Sequence, residues 1–223
     1  YFNFCKINFF NNLLKIILFK DLYIFSKIKK IFCFLLKLNK FSSILKDISK
    51  NIKENKIPLC SNRSNAESHT TKTTAYKNNC YPIKINNLNK IISINRDNKT
   101  AIVEGGCTVE TLCKETLKYN LRPCVVPEFK GITIGGTVAG GGVESSSFKY
   151  GLLENTILFY DICLGDGTVK RVSPDENSDL FYGSFFCQGT TGFVTLVCIK
   201  LVDSTDLLKV NYEYCDNLQI FTT

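Results

Sequence analysis

The sequence predicts an α+β fold that follows a basic, apolar N-terminal leader. Three observations predict it. Beyond Ile57, short β-branched runs alternate with clean turn signals, one amphipathic stretch has helical spacing, and six of the 14 glycines lie between Gly131 and Gly142. A protein of 223 residues is long enough to bury a core.

The leader comprises residues 1–56 and is dominated by Phe, Ile, Leu, Asn and Lys. Its apolar stretch never reaches the roughly 18 residues that a spanning helix needs. It is interrupted by Lys15, Lys20, Lys27 and Lys37. Two interpretations stay open: a poorly ordered segment whose composition reflects AT-rich codons, or a membrane-associating segment.

The net charge of +8 belongs almost entirely to this leader. Residues 1–60 carry 12 lysines and three acidic residues, whereas residues 61–223 carry 16 basic and 17 acidic residues. The rest of the protein therefore offers no basic face, and we predict that it binds no nucleic acid.

Short strands and one helix are predicted before the glycine segment. Residues 81–85 form a strand, and residues 90–94 and 101–106 form a hairpin with Asp97 and Asn98 at its tip. Residues 108–120 have helical spacing, with Thr108 as the N-cap.

A second hairpin, a helix and a buried strand are predicted after the glycine segment. Residues 157–173 form the hairpin, with Asp166 and Gly167 at the turn. A helix begins near residue 173 and is capped by Ser173 or Asp175. Residues 192–202 form a continuous β-rich run that is typical of a buried strand.

Eleven cysteines invite a metal or disulfide interpretation that their spacing does not support. The closest pair, Cys107 and Cys113, lacks the spacing of a zinc site, and the only histidine, His69, lies in no ligand pattern. We therefore expect buried free thiols and no metal centre.

The segment "FKGITIGGTVAGGGVESSSFKYG" differs from a linker because β-branched residues separate its glycines. This mixture predicts extended backbone pressed against a ligand. A P-loop is excluded because Thr137 replaces the required lysine, and a dinucleotide fingerprint is excluded because Ser145 replaces its third glycine. The ligand left is a diphosphate or flavin, met by main-chain N–H groups and hydroxyls.

Three blocks in order carry a family resemblance: "GGVESSSFKYG", "LGDGTVKRVSPDENSDLFY" and "QGTTGF". Residues 57–202 resemble the FAD-binding domain of the p-cresol methylhydroxylase and vanillyl-alcohol oxidase type (PCMH-type), and within it the delta(24)-sterol reductases, or Diminuto/seladin group. The resemblance implies two α+β subdomains with FAD extended between them. It places this domain at 57–203 and the start of a truncated substrate domain at 204–223, so we expect a further C-terminal portion.

The resemblance also implies three cofactor-contacting segments. The main one comprises Thr133, Ile134, Gly135, Gly136, Thr137, Val138, Ala139, Gly140, Gly141, Gly142, Val143, Glu144, Ser145 and Ser146. A second turn comprises Gly189, Thr190 and Gly192. A divergent pyrophosphate loop comprises Arg63, Ser64 and Asn65. The sterol reductases resemble the branch that binds FAD non-covalently; covalent attachment through His69 is the alternative.

The activity implied by the resemblance is transfer of hydride from NADPH through FAD to a carbon–carbon double bond in the tail of a sterol. No catalytic residue can be named, because the acid would come from the substrate domain. An apolar substrate fits a location at the cytoplasmic side of the endoplasmic reticulum membrane; otherwise we expect a cytoplasmic protein. The alternatives are an alcohol or sugar-lactone oxidase or dehydrogenase of the same fold, and a truncated, non-catalytic flavin module.

Overall fold

We describe a computed structural model of the protein, in which residues 2–55, 58–61, 78–85, 87–205, 207, 209–212, 214 and 216 are placed. The first element is a long helix, α1, which spans Phe2–Glu54. Almost all of the leader that the structure describes is therefore helical. Among the helices of these residues, none has an apolar stretch long enough and uncharged enough to cross a membrane.

The C-terminal end of α1 packs against the rest of the molecule. Phe41, Ile48 and Ile52 are buried and share a cluster with Leu88 and Leu196. Since these side chains belong to one core, the last turns of α1 are part of the domain that follows. The domain boundaries at residues 56 and 203 stay predictions.

A small parallel sheet lies beside α1. It pairs β1, Leu59–Ser61, with β2, Tyr81–Ile83. The strand predicted over residues 81–85 thus ends two residues early, because the Ile85 N–H turns back to bond the Ile83 carbonyl. The Tyr81 hydroxyl donates to Asn51 Oδ1 on α1 at 3.2 Å, which ties the small sheet to the helix.

The larger sheet has six strands, all paired antiparallel. They are β3 (Ile91–Asn95), β4 (Thr100–Glu104), β5 (Leu121–Pro123), β6 (Ile157–Leu164), β7 (Val169–Val172) and β8 (Gly192–Asp203). The order is β3-β4-β8-β6-β7, with β5 pairing with β8. Both predicted hairpins and the long strand β8 are confirmed. Because β8 lies centrally, its two faces are covered, as its continuous apolar run predicts.

Short helical elements connect the strands of the larger sheet. They are α2 (Val109–Leu117), α3 (Ile134–Gly140), α4 (Ser147–Tyr150), a 3₁₀ helix (Leu153–Thr156) and α5 (Ser178–Gly183). The predicted cap of α2 is confirmed, because Thr108 Oγ1 accepts from the Thr111 N–H at 3.1 Å.

The predicted cap of α5 is wrong. Ser173 Oγ accepts from the N–H groups of Asp175 and Glu176, which closes a turn before the helix. Helix α5 begins at Ser178, and the side chain of the residue before it, Asn177, makes no capping hydrogen bond. The Asn177 backbone is left-handed, with φ 51°. Ser and Asp stabilise such turns as readily as they cap helices, so the sequence pattern fits both.

The large sheet separates two apolar clusters, as the alternation of strand side chains requires. On one face, Val103, Tyr160 and Val197 pack with residues of α2, α3 and α5. On the other face, Cys163 and Leu196 pack with α1 and the small sheet. The fold is α+β, as predicted, and Ile134 and Val138 of the glycine segment belong to the first of these clusters.

Candidate functional site

The first half of the glycine segment is helical, so the predicted extended backbone is wrong for residues 134–140. Thr133 caps this helix, α3, because its Oγ1 accepts from the Gly136 N–H at 3.2 Å. The Ile134 N–H bonds the Cys107 carbonyl at 2.9 Å, and the Gly135 N–H bonds the Gly105 carbonyl at 2.7 Å. The first donors of α3 are therefore used inside the protein.

Gly135 is explained by close packing of protein backbone. A Cβ at this position would lie 2.8 Å from Gly105 O and 3.1 Å from Val194 O. Only glycine lets the start of α3 rest on the ends of β4 and β8. The sequence pattern that indicated close approach to a ligand here reflects close approach of two main chains.

The end of α3 is where the segment opens to solvent. Gly140 is exposed, and a Cβ at this position would meet no heavy atom within 4 Å. Gly141 follows with φ 87°, and a Cβ there would lie 2.1 Å from the ring of Phe186. The backbone thus leaves the helix at Gly141 in a conformation, and against a neighbour, that only glycine accommodates.

After Gly141 the main chain presents N–H donors that have no partner in the described part of the chain. The N–H groups of Gly142, Val143 and Ser145 donate no hydrogen bond to any residue that the structure describes. Val143 is 69% exposed, and Ser145 is also exposed. These three donors have no partner among the described residues, and contact of this half of the segment with a cofactor stays a prediction.

The same segment is anchored from behind by loop 124–128. Ser146 Oγ donates to the Cys124 carbonyl at 2.9 Å, and Glu144 Oε1 accepts from the Glu128 N–H at 3.1 Å. Ser147 Oγ accepts from the Glu144 N–H at 3.0 Å. Glu144 and Ser146 are thus engaged with the protein, and they position the main chain rather than facing outward.

The second predicted segment, near residue 189, lies against the first. The N–H of Phe186 bonds the Val138 carbonyl at 3.3 Å, and the N–H of Gln188 bonds the Ala139 carbonyl at 2.8 Å. Gly189 and Thr190 are exposed beside this junction. Gly192 differs, since a Cβ there would lie 2.4 Å from Cys163 O. Its glycine serves strand pairing between β6 and β8.

The remaining predicted contacts, Arg63, Ser64, Asn65 and His69, lie outside the described residues. Two residues that the sequence reasoning missed are Phe186, which joins the two segments, and Cys187, which forms hydrogen bonds within the second one. Their only sequence signal is their position directly before the "QGTTGF" block.

A buried carboxyl, Glu104, lies where β4 meets the start of α3. Glu104 is 2% exposed, and its Oε2 accepts from the Lys90 N–H at 2.7 Å. Burial raises the pKa of Glu104, while this hydrogen bond and the charges of Lys90 and Lys40 oppose the rise. The main-chain carbonyl of Glu104 accepts from the Cys107 N–H, so the backbone of this residue also supports the turn beneath α3.

The donor set fits a large ligand with anionic and carbonyl oxygens. Unused main-chain N–H groups at Gly142, Val143 and Ser145 can bind phosphate or ring carbonyl oxygens. The open surface at Gly140 and Gly189 lets a flat group approach the backbone. These properties match FAD and do not require a cationic side chain.

Comparison with known proteins decides the family: the sequence profile of the FAD binding domain matches residues 43–173. The chain belongs to this family of FAD-binding oxidoreductases. The matched region of the FAD-binding domain includes the last turns of α1, the small sheet, strands β3 to β7 and the whole glycine segment.

Individual relatives of this FAD-binding domain are matched over part of their own length. Delta(24)-sterol reductase of Macaca fascicularis is 30% identical over 180 residues, which are 78% of this chain and 35% of that protein. Cytokinin dehydrogenase 1 of Arabidopsis thaliana is 32% identical over 107 residues, which are 48% of this chain and 19% of that protein. The chain thus spans about a third or less of the length of these relatives.

A solved structure shows the same fold. The crystal structure of 6-hydroxy-D-nicotine oxidase from Arthrobacter nicotinovorans superposes with a TM-score of 0.60 at 23% sequence identity. The match includes 71% of this chain and 35% of that protein. The PCMH-type fold predicted from the sequence is therefore confirmed for this FAD-binding domain.

Proposed function

We propose that this FAD-binding oxidoreductase domain belongs to a delta(24)-sterol reductase-like enzyme that passes hydride from NADPH through FAD to a carbon–carbon double bond in the tail of a sterol. The observation that carries the proposal is the 30% identity to Delta(24)-sterol reductase over 78% of the protein. That similarity extends well beyond the 48% matched by cytokinin dehydrogenase.

The geometry supports different roles for different residues of the site. The backbone of residues 142–145 offers donors, Gly140 and Gly189 leave room, and Glu144 and Ser146 hold this backbone against loop 124–128. When bound, FAD supplies the hydride-transfer chemistry, and the protein supplies binding and orientation. We propose non-covalent binding, with Arg63, Ser64 and Asn65 as further contacts.

The first experiment tests the cofactor. The protein is loaded with FAD, separated from free FAD and precipitated with acid. Yellow colour that moves to the supernatant supports non-covalent binding, whereas colour retained in the pellet indicates covalent attachment and directs attention to His69. A folded protein that retains no flavin contradicts the proposal and favours the alternative of a non-catalytic module.

The second experiment tests the electron donor and substrate. Under anaerobic conditions, NADPH should bleach the flavin absorption of the FAD-loaded full-length enzyme that contains this domain, and a sterol with a double bond in its tail should restore it. A sterol with a saturated tail is the matched control. The proposal is contradicted if NADPH leaves the flavin spectrum unchanged, or if the saturated and unsaturated sterols restore the absorption to the same extent.

A second candidate function is an FAD-dependent oxidase or dehydrogenase of the same fold that acts on an alcohol or a sugar lactone. It is favoured by the similarity to cytokinin dehydrogenase and by the fold shared with 6-hydroxy-D-nicotine oxidase. An oxygen electrode separates an oxidase from the reductase, because an oxidase consumes O₂ when its substrate is added and a reductase does so poorly.

We also propose that α1 associates with a membrane surface, at the cytoplasmic face of the endoplasmic reticulum. Within residues 26–54 of α1, the part whose side-chain exposure the structure describes, the exposed large apolar side chains are Ile28, Ile31, Phe32, Phe34, Leu35 and Leu36. Lysines at positions 27, 29, 30, 37 and 40 accompany them. Exposed apolar area together with positive charge is typical of helices that lie on anionic bilayers.

A further inference from the structure

The loop between α5 and β8 has an unusual backbone. We name residues 184–191 the clasp loop. Three of its residues have positive φ: Phe186 at 57°, Gln188 at 55° and Gly189 at 83°. Positive φ is uncommon for residues other than glycine, and it persists only where the surrounding contacts hold it. The contacts that hold the clasp loop are therefore of functional interest.

One set of contacts joins the clasp loop to α3. The main-chain bonds from Phe186 to Val138 and from Gln188 to Ala139 run along the end of that helix. The ring of Phe186 covers Gly141. Displacement of the clasp loop would therefore also disturb the point where the glycine segment leaves the helix.

The second set of contacts converges on Cys187. Its Sγ accepts from the Gly189 N–H at 3.3 Å, and it shares the Thr191 hydroxyl, which lies 3.2 Å from this sulfur and 3.0 Å from Ser184 Oγ. Its carbonyl accepts from the Thr190 N–H at 3.0 Å and from the Thr190 hydroxyl at 2.8 Å. One residue thus ties together the three residues that follow Gln188.

We propose that Cys187 is a positioning residue for the flavin. The sulfur of Cys187 holds the clasp loop so that Gly189 and Thr190 stay in place beside α3. This inference rests on the proposed FAD binding and adds a residue to it. Cys187 is not proposed to react: it acts through the backbone of the clasp loop.

The electrostatics of the sulfur agree with its role as an acceptor. Burial by itself would raise the pKa of Cys187, but hydrogen bonds from Thr191 and from the backbone of Gly189 and Thr190 outweigh burial and lower it. The other clearly shifted thiols behave in the opposite way. Burial raises the pKa of Cys107 to about 12 and that of Cys163 to about 11.

Variants at two positions test the proposal in the whole chain of residues 1–223. Cys187→Ala removes the acceptor, and Cys187→Ser keeps a hydrogen-bonding group of similar size. Thr191→Val removes the donor, and Thr191→Ser keeps it. FAD affinity is measured by flavin fluorescence. Hydrogen exchange of the peptide that contains residues 186–191, measured in the absence of FAD, reports how firmly the clasp loop is held.

We expect Cys187→Ala and Thr191→Val each to weaken FAD binding by about three- to tenfold, the usual effect of one lost hydrogen bond. Both should speed exchange in the clasp loop. Cys187→Ser and Thr191→Ser should restore most of the affinity. In the double variant the losses should be less than additive, because the Thr191–Cys187 bond is lost in each single variant. Full non-additivity is not expected, since Cys187→Ala also removes the acceptor of the Gly189 N–H and Thr191→Val also removes the contact with Ser184.

Three outcomes overturn the proposal. Unchanged exchange in Cys187→Ala shows that the sulfur does not hold the loop. Faster exchange with unchanged FAD affinity shows that the held loop does not serve the flavin. Equal losses in Cys187→Ala and Cys187→Ser, with matching losses of thermal stability in the apo protein, indicate a packing role only. If the unaltered protein binds no FAD, the proposed function fails first and this inference falls with it.

Discussion

The aromatic ring of Phe186 lies against Gly141, so closely that a Cβ on Gly141 would stand 2.1 Å from Phe186 Cε1. This contact joins the two segments that the family resemblance assigns to the cofactor. It also unites two residues that each have positive φ. The local geometry therefore depends on the absence of a side chain at one position and the presence of a ring at the other.

Gly141→Ala should lower the free energy of unfolding by about 1 to 3 kcal/mol and weaken FAD binding, because it adds strain at φ 87° and displaces Phe186. Gly140→Ala is the matched control for stability alone, since its Cβ meets no heavy atom of the protein within 4 Å but would stand on the proposed FAD surface. Urea denaturation and FAD titration give both quantities. Equal stabilities of the two variants would contradict this packing of Phe186 on Gly141.

Adding Phe186→Ala to Gly141→Ala should recover part of the FAD affinity, because the clash is removed while the strain at residue 141 remains. The two single variants and the double variant form a thermodynamic cycle. Strictly additive losses would show that the ring and Gly141 do not compete for the same space.

Glu104 should make stability depend on pH. Its pKa is raised in the folded state, chiefly by burial, so the native protein holds this proton more tightly than the unfolded protein does. The free energy of unfolding should therefore fall as pH rises from the ordinary pKa of 4.5 to the raised pKa of the folded state. Above the raised pKa, the contribution of Glu104 no longer changes with pH. Glu104→Gln should remove that decline.

The measurement is urea denaturation at several pH values for the unaltered protein and for Glu104→Gln. Glu110→Gln is a suitable control, because Glu110 lies on the solvent side of α2 and pairs with Lys114. Parallel pH profiles for the unaltered protein and Glu104→Gln would show that another group causes the dependence.

Gly167→Ala should loosen the end of α1. Gly167 has φ 77°, and a Cβ there would lie 2.7 Å from Ser49 O and 2.7 Å from Lys53 Cγ. We expect a loss of about 1 to 3 kcal/mol in unfolding free energy and faster proteolysis of α1. Gly165→Ala is the control in the same turn, because its Cβ meets nothing within 4 Å. A Gly167→Ala variant as stable as Gly165→Ala would contradict close packing of the turn at Gly167 against the end of α1.

Membrane association of α1 should depend on its exposed apolar residues and on anionic lipid. Changing Phe32, Leu35 and Leu36 to Ser should reduce co-sedimentation with vesicles that contain phosphatidylserine several-fold. Tyr182→Ser is the control, since Tyr182 is 62% exposed but lies on α5. Binding that is equal for neutral and anionic vesicles, or unaffected by the triple change, would count against the proposal.

Much of the fold follows from local sequence signals. The β3–β4 and β6–β7 hairpins, the strand β8 and the cap of α2 at Thr108 were predictable because turn residues and hydrophobic periodicity act over a few neighbouring residues. The cap of α5 was not, because a Ser-Pro-Asp turn and a helix start share the same residue types. The order of strands around β8 depends on pairing between residues that lie far apart in the sequence.

The glycine segment shows the same division within the site. By itself the sequence determined that residues 131–142 need backbone freedom, and the pattern of blocks indicated a flavin-binding family. Only the tertiary structure decided how each glycine is used: Gly135 against the Gly105 backbone, Gly141 under Phe186, and Gly140 facing open space. Glycine is written the same way in the sequence whether protein, ligand or water occupies the space that a side chain would fill. Only the packing of strands and helices that are distant in the sequence distinguishes these three cases.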